Sequence, residues 1–186
     1  EAAFYGPKID FMSADSLGRV WQVATIQLDM NMPERFDLTC INEKSEKERV
    51  VMIHAAIMGS LERFLAILIE HLGGAFPTWL APIQVAILPV AGVHEEYAKK
   101  VAEELKQTGI RVKIYSADNT LGKRIREIKT GKVPYFLVIG DKEQDSGNLT
   151  VESRAGDKQE LPLADFISQL INEIKEPFYV SFFIHT

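Results

Sequence analysis

The sequence has one cysteine, Cys40, among its 186 residues. No disulfide can form within one chain, so a disulfide-stapled scaffold is excluded, and the low cysteine use fits a reducing, cytoplasmic compartment. No apolar run approaches the roughly 18 residues that cross a bilayer, and no membrane partner is expected. No cleavable signal stands at the N-terminus, which reads straight into strand-like sequence. Repeats and low-complexity tracts are also missing, so the chain does not read as a solenoid or a disordered linker. An excess of positive charge is missing too. Residues 1–81 carry 7 basic and 11 acidic groups, residues 82–186 carry 14 and 15, and the net charge is −5. That balance argues against indiscriminate nucleic-acid binding.

What remains is an ordinary globular composition. Hydrophobic residues make up 46% and charged residues 25%, enough apolar surface to bury a core. The length fits one domain or two small ones. Charge is concentrated in one place. Residues 123–132 hold Lys123, Arg124, Arg126, Lys129 and Lys132 against the single acid Glu127. Such a patch neutralises phosphates even on an acidic protein, or it forms a solvated helix face.

The first half reads as strands: 20–30, then 36–41, then 50–57 after a charged loop at 42–49. The third run is apolar on nearly every residue, so it is expected at the centre of its sheet. Gly59-Ser60 forms a turn with a serine N-cap. A helix over 61–72 follows, apolar on almost every side and therefore expected to be buried, and Gly73-Gly74 stops it. The Pro-bearing stretch 75–82 is the domain joint. Beyond it the pattern changes to strand 84–90, helix 94–107, strand 111–115, helix 121–129, strand 133–139, strand 149–154 after an Asp-Ser-Gly turn, and helix 163–174. That order predicts a compact α/β domain with a mixed or mainly parallel sheet. The expected division is 1–77, 78–175 and an aromatic tail at 176–186.

Several residues are suited to chemistry by type and position. Arg63 stands at the head of an apolar helix, where a planar, always-charged guanidinium holds a phosphate, stacks on a base or pairs with a distant carboxylate. Lys8 follows the fixed Gly6-Pro7 turn and is placed to reach a phosphate or to remain solvated. Thr25 and Gln27 share one face of their strand, because side chains alternate. Gln22 lies further along it. His54 is a lone imidazole in an apolar strand, without ligand spacing to His71, His94 or His185.

Four blocks carry a resemblance, in order: Phe4-Tyr5-Gly6-Pro7-Lys8-Ile9-Asp10-Phe11, Thr25-Ile26-Gln27-Leu28-Asp29, His54 through Gly59-Ser60-Leu61-Glu62-Arg63-Phe64, and Trp79-Leu80-Ala81-Pro82-Ile83-Gln84-Val85. They resemble the class II aminoacyl-tRNA synthetases, and in detail the threonyl-tRNA synthetase family, from residue 1 to about 175. The resemblance implies the C-terminal part of that enzyme: half of an antiparallel class II catalytic sheet with a buried helix, then an α/β anticodon-binding domain. It implies that Arg63 stacks on the adenine of ATP, with Lys8 near ATP and Gln27 beside them as catalytic residues. Tyr5, Gln22, Thr25 and Ser60 would line the adenylate pocket.

By the same resemblance His54 is one of three ligands of a catalytic zinc. The other two lie upstream in the family, so zinc is expected to be absent from this chain alone. Arg126, Lys132 and Glu143 match positions that contact the anticodon. The intact family enzyme uses ATP, Mg2+ and Zn2+, takes threonine and threonine tRNA, and is a homodimer. The family's motifs one and two are not in the chain, so it is expected not to form adenylate alone. Departures exist: Val23-Ala24 and Ala55 replace Cys-Gly and arginine, Asp118 replaces asparagine, and Glu152 replaces arginine. They leave a second reading open, a non-catalytic synthetase-derived RNA-binding or regulatory protein.

Overall fold

A computed structural model describes residues 2–175; the aromatic tail lies outside them. The chain divides into two compact units after Gly73. The stretch 75–82 therefore goes with the second unit, and the division falls four residues before the expected one.

The first unit contains β1 (Ala2–Ala3), β2 (Gly6–Ala14), β3 (Val20–Asp29), α1 (Asn31–Arg35), β4 (Thr39–Ile41), β5 (Lys47–Arg49), β6 (Met52–Ala56) and α2 (Leu61–Leu72). Its main sheet is antiparallel in the order β1-β2-β3-β6. β4 and β5 form a separate hairpin. The run expected as a strand at 36–41 keeps only β4, because the amides of Phe36, Asp37 and Leu38 donate back to the Met32, Glu34 and Pro33 carbonyls to close α1, and Asp37 has a φ of +46°. The charged loop at 42–49 turns tightly on Asn42, whose side chain accepts from Lys44 and Glu46.

Two expectations for this unit are corrected. β6 is an edge strand and not a central one, with Ile53 63% exposed. The helix α2 is not buried: Ile67 and Leu68 are covered, while Leu61, Leu65 and Ile69 face solvent. Apolarity records surface that favours burial, but burial requires an element to cover it, and the described residues supply none here. α2 itself forms for local reasons. Ser60 caps it by accepting from the Arg63 amide, and Gly73 closes it in the left-handed conformation.

The second unit contains β7 (Val85–Pro89), a short 3-10 turn at Gly92–His94, α3 (Glu95–Gln107), β8 (Val112–Ile114), α4 (Leu121–Thr130), β9 (Tyr135–Ile139), α5 (Asp141–Ser146), β10 (Asn148–Ser153), β11 (Lys158–Pro162) and α6 (Leu163–Lys175). Its sheet runs β11-β10-β9-β7-β8, parallel through β8, β7 and β9 and antiparallel at β10 and β11. α3 and α6 cover one face, packing Val101, Leu105, Phe166 and Leu170 on Val85, Ile87, Leu137, Leu149 and Val151. α4 alone covers part of the other, over Ala86, Leu88 and Phe136. α5 and β11 were not expected from the sequence. α5 is one polar turn and a half ending at left-handed Gly147, and β11 alternates charged residues without an apolar stripe, so neither carries a periodic signal.

The joint is stapled to the second unit. Arg111 donates to the Trp79 and Ala81 carbonyls, Arg154 to Phe76 and Gln84 to Thr78. Thr78 and Tyr135 both donate to Glu173 on α6. Among the described residues no helix is long and apolar enough to cross a membrane.

Candidate functional site

In the first unit, antiparallel register assembles a polar row. Lys8 pairs with Gln27, which pairs with His54; Asp10 pairs with Thr25. Paired residues share a face, so these side chains project together. Gln22 would alternate to the opposite face, but the register slips between Phe11 and Met12, so that Ala24 pairs with Phe11 and Gln22 with Met12. This bulge returns Gln22 to the polar face, where its Nε2 donates to Asp10 Oδ1 at 2.8 Å.

The row is a connected network. Tyr5 Oη donates to Gln27 Oε1 at 2.6 Å, and Gln27 Nε2 reaches Thr25 Oγ1 at 3.4 Å. Lys8 Nζ lies 2.7 Å from Asp10 Oδ2. The Lys8 and Thr25 hydrogen bonds hold the Asp10 carboxyl below the usual carboxylate range, against a smaller opposing effect of burial. Gly6 makes the turn before the row possible: its φ is +155°, and a Cβ there would lie 2.3 Å from the Leu28 carbonyl oxygen.

His54 Nε2 lies 2.9 Å from Asp29 Oδ2. The Met32 amide and then His54 lower the pKa of Asp29. Among the described residues no three His, Cys, Asp or Glu side chains group so as to hold a metal ion. His54 with Asp29 as its neighbour does not fit a zinc site among the described residues.

Arg63 and Ser60 stand apart from this row. Gly59 brings their turn against the bulge, where its Cβ position lies 3.3 Å from the Val23 carbonyl oxygen, and its φ of +55° suits glycine. Among the described residues no hydrogen bond joins Arg63 or Ser60 to the row. The Arg63 guanidinium lies 5.7 Å from the Trp21 ring centroid, and Trp21 pairs with Ser13 on the opposite face. Arg19 stacks on the same indole at 5.6 Å. Asp15 anchors both Arg19 and Trp21, accepting from Trp21 Nε1 at 2.8 Å and Arg19 Nε at 2.5 Å. Burial opposes its charge, but the hydrogen bonds from Trp21, Arg19 and Leu17 outweigh it, and its pKa falls to about 2. Arg19, Trp21 and Asp15 were not anticipated as part of the site; the spacing of Asp15 and Arg19 around the Gly18 turn is the only sequence signal for them.

In the second unit the basic run divides. Arg124 is buried, donating to the Pro89, Tyr115 and Asn119 carbonyls, so it is structural. Arg126 is exposed, with no ion pair among the described residues. Lys123 reaches Asn119 Oδ1. Lys129 pairs with Glu152 at 2.9 Å. Lys132 turns the chain after α4 with φ +52°. Glu143 is buried, and its carboxylate is occupied: it accepts from the Gly140 amide at 3.0 Å and from Thr150 Oγ1 at 2.7 Å. Burial opposes its charge, yet these bonds lower its pKa. It caps α5 in this chain.

Comparison with known proteins follows the same division. Residues 84–173 match an anticodon-binding domain family, and residues 1–72 match the class II tRNA synthetase core domain (G, H, P, S and T). The chain is 53% identical over 175 residues to a threonine–tRNA ligase of Thermotoga petrophila, covering 94% of this chain and 27% of that protein. It is 50% identical over 177 residues to the threonine–tRNA ligase of Carboxydothermus hydrogenoformans, covering 95% and 28%. A crystal structure described as the RNA binding domain of threonyl-tRNA synthetase from Cryptosporidium parvum superimposes with a TM-score of 0.85 at 38% identity, covering 93% of this chain and 44% of that one. The chain thus spans about a quarter of the length of the curated relatives it matches.

Proposed function

Because the chain belongs to the threonine–tRNA ligase family, we propose that its second unit binds the anticodon arm of a threonine tRNA. The first unit would contribute part of the pocket in which a whole ligase joins threonine to ATP. The observation that carries the tRNA reading is the match of residues 84–173 to an anticodon-binding domain, with the exposed Arg126 on its α4 helix, which has no ion pair among the described residues. A guanidinium without an internal carboxylate is available to a phosphate at no cost in broken ion pairs. Lys132 flanks it at the end of α4. Phosphate contacts position the RNA, and discrimination must come from groups that meet base edges.

In the first unit, Tyr5, Gln22, Thr25 and Gln27 supply neutral donors and acceptors suited to a small polar amino acid. Lys8 and Arg63 are the cations on offer to a nucleotide's phosphates. ATP, with Mg2+, supplies the adenylyl group; these side chains would bind and orient the reactants and stabilise charge. The Lys8–Asp10 pair must loosen for Lys8 to serve a phosphate. Adenylate formation by this polypeptide alone is not expected, since it spans about a quarter of the length of the ligases it matches. Threonine-dependent pyrophosphate exchange by the purified chain would overturn that part.

The test is binding of labelled threonine tRNA to the chain, beside an Arg126→Glu/Lys132→Glu variant and a non-cognate tRNA. Selective binding that the variant loses supports the reading. Equal binding to any tRNA, or none, sinks it and leaves the alternative of a synthetase-derived protein with another role. The occupied state of His54 and Lys8 is the structural observation on that side.

A further inference from the structure

One indole in the first unit carries two guanidiniums. Arg19 lies 5.6 Å and Arg63 5.7 Å from the Trp21 ring centroid. The indole itself is pinned. Its Nε1 donates to Asp15 Oδ2 at 2.8 Å, and Asp15 is buried at the start of the turn between β2 and β3. Arg19 Nε donates to the same carboxylate oxygen, and Arg19 Nη2 reaches Glu70 Oε2 at 3.4 Å. Glu70 stands about two turns after Arg63 along α2, so both lie on one side of that helix. The helix is therefore set against the turn by two contacts, Arg63 on Trp21 and Glu70 on Arg19.

The two arginines differ in what they have left to offer. Arg19 spends its N–H groups on Asp15 and Glu70. The Arg63 side chain is exposed, and among the described residues it makes no ion pair. Its neighbour Glu62 is turned to Ser60, whose Oγ donates to Glu62 Oε2 at 3.0 Å. A carboxylate beneath Arg63 would take up its N–H groups and cancel its charge. A ring face does neither: its π electrons restrain the guanidinium and leave the N–H edge open. The first turn of α2 adds the positive end of the helix dipole at the same place.

We propose that Trp21, held by Asp15 and Arg19, is a seat that positions Arg63 so that its N–H edge meets the phosphate oxygens of ATP. This rests on the reading of the first unit as part of an ATP pocket. Arg63 is then the group that touches the nucleotide, and Trp21 is a positioning residue behind it. A long side chain that is already held loses less rotamer freedom when the ligand arrives, so the seat strengthens binding without touching the ligand. The chain by itself keeps this seat, and with it a measurable affinity for ATP.

The experiment titrates ATP into the full chain and follows the base protons of the nucleotide by saturation-transfer NMR, a readout that does not depend on tryptophan. Wild type, Arg63→Met, Trp21→Tyr and Trp21→Leu are compared, each checked for an unchanged fold by circular dichroism. Wild type should bind saturably at millimolar ATP, and Arg63→Met should lose most of that binding. Trp21→Leu should weaken it by roughly 2- to 5-fold, the worth of one exposed cation–π contact, while Trp21→Tyr, which keeps a ring face, should restore most of it. In the free protein the Arg63 Nε–H proton should stand upfield under the indole and return to its ordinary position in Trp21→Leu. Equal binding by wild type and Trp21→Leu, or Trp21→Tyr as weak as Trp21→Leu, would overturn the seat and leave the ATP reading intact. Binding that Arg63→Met does not change, or no saturable binding at all, would overturn both.

Discussion

Asp15 shows how one side chain holds a local structure. It collects the Leu17 and Arg19 amides, Trp21 Nε1 and Arg19 Nε. Its pKa of about 2 lies below the ordinary carboxylate value, so its stabilisation is present in full above about pH 4 and lost as pH falls towards 2. Asp15→Asn should lower the Tm at pH 7 and flatten the acid limb of the stability curve, read by circular dichroism melts between pH 2 and 7. An unchanged acid limb would mean that other carboxylates set it. Phe166 is the counterpart in the second unit: wholly buried and edge-on to Tyr135. Phe166→Ala should cost about 3–5 kcal/mol in denaturant unfolding of that unit.

At the scale of elements, β6 and α2 matter most because their apolar residues are exposed. Ile53 and Ile9 lie on the apolar face of the first sheet, opposite the Lys8–Gln27–His54 row, and among the described residues β6 also leaves one edge unpaired. Both features favour association. Ile53→Lys should increase the monomer fraction in sedimentation velocity at micromolar concentration, and an unchanged distribution would show that this face does not drive association. The bulge in β3 is the other decisive element. Replacing Val23 does not remove it, but deleting Val23 should leave Ala24 and Gln22 in regular alternation, with Gln22 still on the polar face beside Asp10; loss of the nuclear Overhauser contacts between the Gln22 side-chain amide and β2 in that variant would count against this. These elements also show where sequence reading succeeded. β3, α3, α4 and β9 were legible because their apolar residues recur with the period of a strand or helix. β11 and α5 were not, because turn closure and strand pairing hold them rather than an apolar stripe.

For the whole molecule, the two units differ in how far their apolar residues are enclosed. The second has a closed core on one face of its sheet and a smaller one on the other, and its joint 75–82 is stapled by Arg111, Arg154 and Glu173. The first buries few large side chains. Amide exchange should therefore be slowest in β7 and β9 and markedly faster in β6 and α2, measured by mass spectrometry after proteolysis. Equal protection across both units would contradict the burial pattern.

The sequence alone determined the family, the order of most elements and the residue types at the site, because apolar period, caps and motif blocks are local properties of the chain. Tertiary structure decided what those residues face. It brought Gln22 onto the polar row through a one-residue bulge, and it placed Arg63 on Trp21. It withdrew Arg124 and Glu143 into backbone hydrogen bonds and set Glu152 between two lysines on an open sheet. None of these can be read from spacing, because each depends on register and on which strand lies alongside, and both are settled only when distant segments pair.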